Sequence, residues 1–272
     1  MSVYSLRVTA LISASLIGLI SCAGPTPTTT TRTPGFYWSA AKETFAAGDY
    51  LKTAEHLDHL MASSNEYQSR AIPWSLVLTA GMAGGYMELA DNYSSGARTN
   101  KTEAATFLHK AMEYRTMSSR LALQFAQNVE KMGQVPAGAI LLDFGVPIGT
   151  AAMPPQYHQI AKGRELTPED ADAAVKLAIE RNVLLAACLA GGAPNDPAKA
   201  EAILRGGSAS IPRATFAKAV ATMLDDESQL YSRNKLDDPD KLAVFHQRAQ
   251  NVLDDAVTFG TARVLKAQAT VR

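Results

Sequence analysis

From residue 36 onward, apolar residues recur every three to four positions and seldom alternate, a period that predicts helices and almost no strand. A first helix is expected over about 36–47 and a second over about 50–63, with Gly48-Asp49 as the turn between them. In the second, Tyr50, Ala54, Leu57 and Met61 form one continuous stripe. Pro73 is expected to open the third helix. Residues 72–87 carry no charge, which predicts a central buried helix, and Gly81, Gly84 and Gly85 offer a flat strip where another helix can approach closely. Asn100 followed by Glu103 has the spacing of a capping box and predicts a long helix to about residue 132, with Ala105, Leu108 and Met112 marking one face and Leu121, Phe125 and Val129 later on.

Three later starts share one grammar. Thr167-Pro168, Asp196-Pro197 and Asp238-Pro239 each set a capping oxygen before proline at the first helical position, where its missing N–H costs nothing. They predict helices over about 168–190, 197–205 and 239–268, and Ser210-Ile211-Pro212 predicts another to about residue 231. In the last helix Leu242, Phe245, Ala249, Val252, Ala256 and Phe259 keep the spacing of a packing seam. The fold class that follows is all-α, a bundle of roughly seven to eight helices in hairpins.

One segment breaks the pattern. Residues 133–165 contain four prolines and five glycines, which exclude a long helix, yet Ile140, Leu142 and Phe144 are too apolar for a solvated linker. A strap across a gap between two helical halves (36–132 and 166–272), a lip over a binding cleft, and a membrane contact all fit. Long loops in compact domains are uncommon and often functional, so Ile140, Leu142, Asp143, Phe144, Tyr157 and His158 form the candidate binding segment. Asp143, inside the apolar stretch, is either turned outward or paired.

The first residues read as an address. Arg7 precedes an uncharged run over residues 8–20, 13 residues long and shorter than the roughly 20 needed to span a bilayer. The run ends in Leu19-Ile20-Ser21-Cys22, which resembles the lipobox of bacterial lipoproteins. The resemblance implies a signal peptide over residues 1–21, cleavage before Cys22, and diacylglyceryl and palmitate-type acyl groups on that residue. Two or more acyl chains hold a protein stably on a membrane. Ala23 stands where inner-membrane lipoproteins carry aspartate, which implies the periplasmic face of an outer membrane. Residues 22–35 are rich in threonine and proline and predict an extended tether to the folded body at 36–272.

Phe45, Gly48-Asp49-Tyr50, Ala54, Leu57 and Leu60 resemble one tetratricopeptide-type helical hairpin, in which glycine makes the turn and small residues let the helices pack. Thr53 stands where that family usually has alanine, Asn65 takes the place of its closing proline, and no second unit repeats the pattern.

The 26 basic and 26 acidic residues give no net charge, which removes the electrostatic case for nucleic acid. Two cysteines cannot build a disulfide scaffold. With Cys22 assigned to lipid, Cys188 stands in an apolar run as a buried small hydrophobe. His56 and His59 have a spacing that suits a metal pair, but they fall off the apolar stripe and read as a solvated face. Asp225-Asp226-Glu227 and Asp237-Asp238-Asp240 read as helix-terminal charge. No hydrolase elbow, zinc-protease helix, phosphate loop or dinucleotide fingerprint is present, and no cofactor is expected. The expectation is a lipid-anchored, non-catalytic scaffold that binds a protein partner in the envelope. The alternatives are a ligand-binding accessory lipoprotein, similar in plan to the helical lipoprotein subunit of tripartite ATP-independent periplasmic transporters, and an enzyme of cell-wall or glycan metabolism.

Overall fold

A computed structural model describes residues 32–270, with side chains described through residue 255. The signal peptide, the lipobox, Cys22 and most of the tether lie outside the described residues. Among the described residues the chain is all-α, with one two-stranded ribbon.

Helix α1 (Pro34–Ala46) starts two residues before its expected position, inside the expected tether, because Thr33 accepts from the Phe36 N–H and Pro34 occupies the first turn. Gly48, at φ +75°, turns the chain, and Asp49 caps α2 (Tyr50–Met61). The stripe of Tyr50, Ala54, Leu57 and Met61 is buried as its spacing predicts. Thr53, fully buried, donates its hydroxyl to the Asp49 carbonyl at 2.9 Å and lies 2.9 Å from the Thr44 hydroxyl, so a polar group is satisfied between the two helices. Asn65 ends the hairpin through its side chain, donating to the Leu60 and Ser63 carbonyls and accepting from the Tyr67 N–H.

Helix α3 (Gln68–Thr99) runs through the centre, and residues 71–83 are buried throughout. Pro73 does not open it. The helix begins at Gln68, so Pro73 lies inside it, past the first turn, where it forgoes the bond its N–H would make to the Ser69 carbonyl. No helix among the described residues is long and apolar enough to cross a membrane. Asn100 accepts from the Thr102 and Glu103 N–H groups and turns the chain into α4 (Ala104–Val129), which packs along α3. The buried face of α4 is Phe107, Ala111, Tyr114 and Ser118, whereas Leu108 and Met112 are 54% and 50% exposed. Two apolar stripes compete on this helix, and the one with two aromatic rings removes more area from water.

The 133–165 segment supplies strand β1 (Ile140–Leu142), which pairs antiparallel with β2 (Ala209–Ile211), Ile140 opposite Ile211. It continues through α5 (Gln156–Ala161) to α6 (Pro168–Ala190). After α6 come α7 (Pro197–Leu204), α8 (Arg213–Ser228) and α9 (Pro239–Thr270). Thr167, Asp196 and Asp238 each accept from an N–H three residues ahead, as the shared grammar predicts. Phe245, Ala249 and Val252 of α9 are buried, and α9 packs mainly on α8. One continuous hydrophobic core takes side chains from both sides of the 133–165 segment.

The glycine strip fixes where α6 crosses α3. A Cβ on Gly81 would stand 2.5 Å from the Val183 Cα, and one on Gly85 would stand 2.9 Å from the Ala178 carbonyl oxygen. Gly84 differs: its missing Cβ would meet Asn182 Oδ1 at 3.2 Å and Glu227 Oε1 at 3.7 Å. Two glycines serve backbone contact, and the third faces polar side chains.

Candidate functional site

The candidate binding segment is largely core. Ile140, Leu142 and Phe144 are buried. The Phe144 ring lies 5.9 Å from Trp74 and 5.7 Å from Phe45, joining α3 to α1. Asp143 is paired: its carboxylate accepts from Arg70 Nε, and the Arg70 guanidinium lies over the Trp38 ring at 4.7 Å. Tyr157 is buried and its hydroxyl donates to Glu88 at 3.4 Å, while His158 is exposed. His59 stacks on Tyr37 at 4.3 Å, and no group of three potential ligands stands together among the described residues. Cys188 is buried against Leu184, Ala193 and Ala200, and burial, with Asp196 nearby, pushes its thiol up, away from the thiolate a nucleophile needs.

The cleft that gathers polar chemistry lies elsewhere, between α3, α6 and α8, with a volume of about 700 Å³. That is the size of a small-molecule site. Gly84 lies on one wall, one position off the α3–α6 backbone contact, and its lack of a side chain lets Asn182 and Glu227 pack close to its backbone.

Two groups of side chains furnish the cleft. In the first, Glu88 of α3 accepts from Arg181 Nη1 at 2.9 and 3.0 Å and from Asn182 Nδ2 at 2.6 Å. Arg181 is held from behind by the Ala151 carbonyl at 3.0 Å, and Tyr157 reaches Glu88 from the same side. The 133–165 segment therefore does not line this cleft but buttresses its Glu88–Arg181 pair. Burial, and next the Glu88 charge, push the Tyr157 hydroxyl well up, so it stays a donor.

The second group is acidic. Glu227, in the last turn of α8, is only 3% exposed, and its Oε2 has no hydrogen-bond partner among the described residues. Burial, and next the Asp226 charge, hold its carboxyl well above the usual range, against a lowering effect of Lys235. Asp226 stands exposed at the rim, raised by partial burial and by Asp225. The Asp225-Asp226-Glu227 run is therefore not uniform helix-end charge. Asp225 faces solvent with His246 at 3.0 Å, Asp226 edges the cleft, and Glu227 is inside.

Opposite, Asp91 accepts from Lys235 Nζ at 2.8 Å, and the loop after α6 brings Asn195 to the wall in a left-handed conformation, φ +60°. Sequence reasoning missed Glu88, Arg181, Asn182 and Asn195. Two signals bore on the site: Gly84 within the glycine strip, and the triple acidic run, whose members diverge only once α3 and α9 pack on α8. Comparison with family models, with curated proteins and with solved structures finds no match, so the functional reading rests on this chain's own residues.

Proposed function

We propose that this chain is an envelope lipoprotein, anchored through lipid on Cys22, whose helical body binds a small molecule in the α3–α6–α8 cleft without transforming it. The observation that carries the reading is the cleft's furnishing: a pre-formed Glu88–Arg181–Asn182 network on one side and a buried carboxyl with an unpartnered oxygen on the other. An unsatisfied buried polar group costs roughly 1–3 kcal/mol, and a ligand that completes it recovers that cost. Binding is favoured over nucleophilic chemistry because both cleft hydroxyls are committed to their own helices. Ser95 donates to the Asp91 carbonyl at 3.0 Å, and Thr222 donates to the Lys218 carbonyl at 3.0 Å.

The test is a thermal-shift and NMR screen of the full chain against small amines, carboxylates, sugars and amino acids. Gly84→Met and Thr222→Trp, which fill the cleft from opposite walls, serve as controls. The expected result is a ligand that raises Tm in the wild type and not in either variant. No shift from any class, or shifts that both variants retain, would refute the reading. Loss of palmitate incorporation in Cys22→Ala tests the anchor separately.

A second reading, the protein-binding scaffold, has one observation in its favour. A groove of about 1150 Å³ runs between α2 and α4, with Leu51 and Leu123 at its rim, 46% and 36% exposed. Crosslinking from intact membranes with a Leu51→Asp/Leu123→Asp variant tests it: a partner captured by the wild type and lost by the variant would favour the scaffold.

A further inference from the structure

We infer that the α3–α6–α8 cleft takes an organic cation, a protonated amine on an apolar body, with the ammonium group against Glu227 and Asp226. This rests on the reading of the cleft as a ligand site and adds the ligand's charge and shape.

The pairing of the charges decides the sign. Arg181 is engaged by Glu88 through two contacts and by the Ala151 carbonyl, so an anionic ligand meets no free cation there. Lys235, its side chain 16% exposed, is bound to Asp91. Once these two pairs are set, Asp226 and Glu227 are the cleft carboxyls with no bonded cation among the described residues. A ligand cation would supply what the fold omits. Glu227 lines the cleft: its Oε1 packs toward the backbone of Gly84, and its buried Oε2, unpartnered among the described residues, is reached by a donor when the side chain turns outward. The rest of the wall sets the ligand's body: Met87, Leu185, Leu189 and Met223 are apolar, and two of them are pliable thioethers.

The cation is coupled to a proton. The groups around Glu227 are Asp226 on its own helix, Tyr231 and Lys235 just beyond it, Glu88 and Asp91 on α3, and Arg181 on α6. On α9, His246 is engaged with Asp225, and Lys241 with Asp238. Burial keeps the free Glu227 carboxyl protonated above the ordinary carboxylate range. An ammonium group beside it favours the carboxylate, so binding expels that proton to solvent. Affinity for an amine therefore rises with pH above the ordinary carboxylate range, and levels off once Glu227 is ionised in the free protein.

The test uses the full chain and three probes of matched shape: tryptamine (ammonium), tryptophol (hydroxyl) and indole-3-propionate (carboxylate). Affinities come from NMR titration over a pH series that rises from the ordinary carboxylate value, and proton release comes from calorimetry in two buffers of different ionisation heat along the same series. Tryptamine is expected to bind about 10-fold or more tightly than tryptophol, with indole-3-propionate weakest, and to release a proton. Glu227→Gln should weaken tryptamine about 10-fold and abolish the release. Asp226→Asn, at an exposed position that any folded variant tolerates, should weaken tryptamine several-fold and leave tryptophol unchanged. If tryptophol or indole-3-propionate binds the cleft as well as tryptamine, or if tryptamine fails while another screened molecule binds, the cationic inference is overturned and the ligand-site reading stands. If no molecule of either set binds, both fall.

Discussion

Asp143 and Glu227 are both carboxyl residues only 3% exposed, and the fold treats them in opposite ways. Asp143 arrives on the apolar strap and is met by Arg70, whose guanidinium is in turn laid over Trp38. Glu227 arrives on α8 and meets the bare backbone of Gly84, with one oxygen unpartnered. The first is a finished piece of architecture, in which a buried charge is met by a partly exposed counter-charge. The second is an incomplete one. Stability gains nothing from an unpartnered buried acid, so its presence beside a cleft is accounted for by a ligand there.

The comparison can be broken at either end. The largest effect is expected from Arg70→Met, which strands Asp143 without a partner. The loss should be about 2 kcal/mol, below the roughly 3–5 typical of a fully buried pair, because Arg70 itself is 37% exposed. A urea midpoint unchanged in this variant would show that Asp143 is not held by pairing.

Next in size is the contrast within the glycine strip. Gly81→Ala forces a Cβ into the Val183 backbone and should cost about 1–2 kcal/mol. Gly84→Ala, which presses only on the Asn182 and Glu227 side chains, should cost less than about 1 kcal/mol and yet weaken ligand binding. Equal losses of stability would remove the distinction between contact glycine and cleft glycine.

A smaller effect, but a diagnostic one, concerns pH. The unfolded chain releases the Glu227 proton near the ordinary glutamate value of 4.5, whereas the folded chain retains it well above that value. Stability contributed by this group is therefore present at acid pH. It falls as pH rises from the unfolded toward the folded pKa, by up to about 1.4 kcal/mol per pH unit. Glu227→Gln removes the penalty, so its Tm should exceed that of the wild type by a few degrees at pH 8, and the gap should close by pH 4. A gap that is constant with pH would mean that Glu227 does not titrate as its burial requires. The smallest effect is expected at His158, an exposed residue of the strap. His158→Ala should stay within about 0.5 kcal/mol of the wild type and bind ligand unchanged.

Much of the fold was legible because its signals are local. The starts of α6, α7 and α9 follow from a capping oxygen beside a proline, a bond closed within four residues. The α2 stripe and the burial of residues 72–83 follow from spacing and from the absence of charge. Where two local readings competed, sequence could not arbitrate: Leu108 and Met112 made as regular a stripe on α4 as Phe107 and Ala111 did. The candidate site was less legible still. The apolar residues of the strap stood out in sequence because they were unusual for a loop, but they are unusual for a structural reason: they close the core around Trp74. The cleft residues were inconspicuous because Glu88 lies on α3 and Arg181 and Asn182 lie on α6, where each looks like an ordinary polar position of an amphipathic helix.

The sequence by itself determined the class of the fold, most helix starts, the close crossing at the glycine strip, and the motif on which the proposed anchor at Cys22 rests. Each is written in neighbours a turn or two apart, where capping, period and side-chain size act. Only the tertiary structure decided which carboxyl has a partner. Asp225, Asp226 and Glu227 are consecutive and chemically alike, and successive helical residues point about 100° apart. What packs on α8 therefore gives one to water, one to the cleft edge and one to the interior. Burial and pairing are properties of what surrounds a group, and those surroundings come from other elements of the chain, as Arg70 does for Asp143, His246 for Asp225 and Gly84 for Glu227.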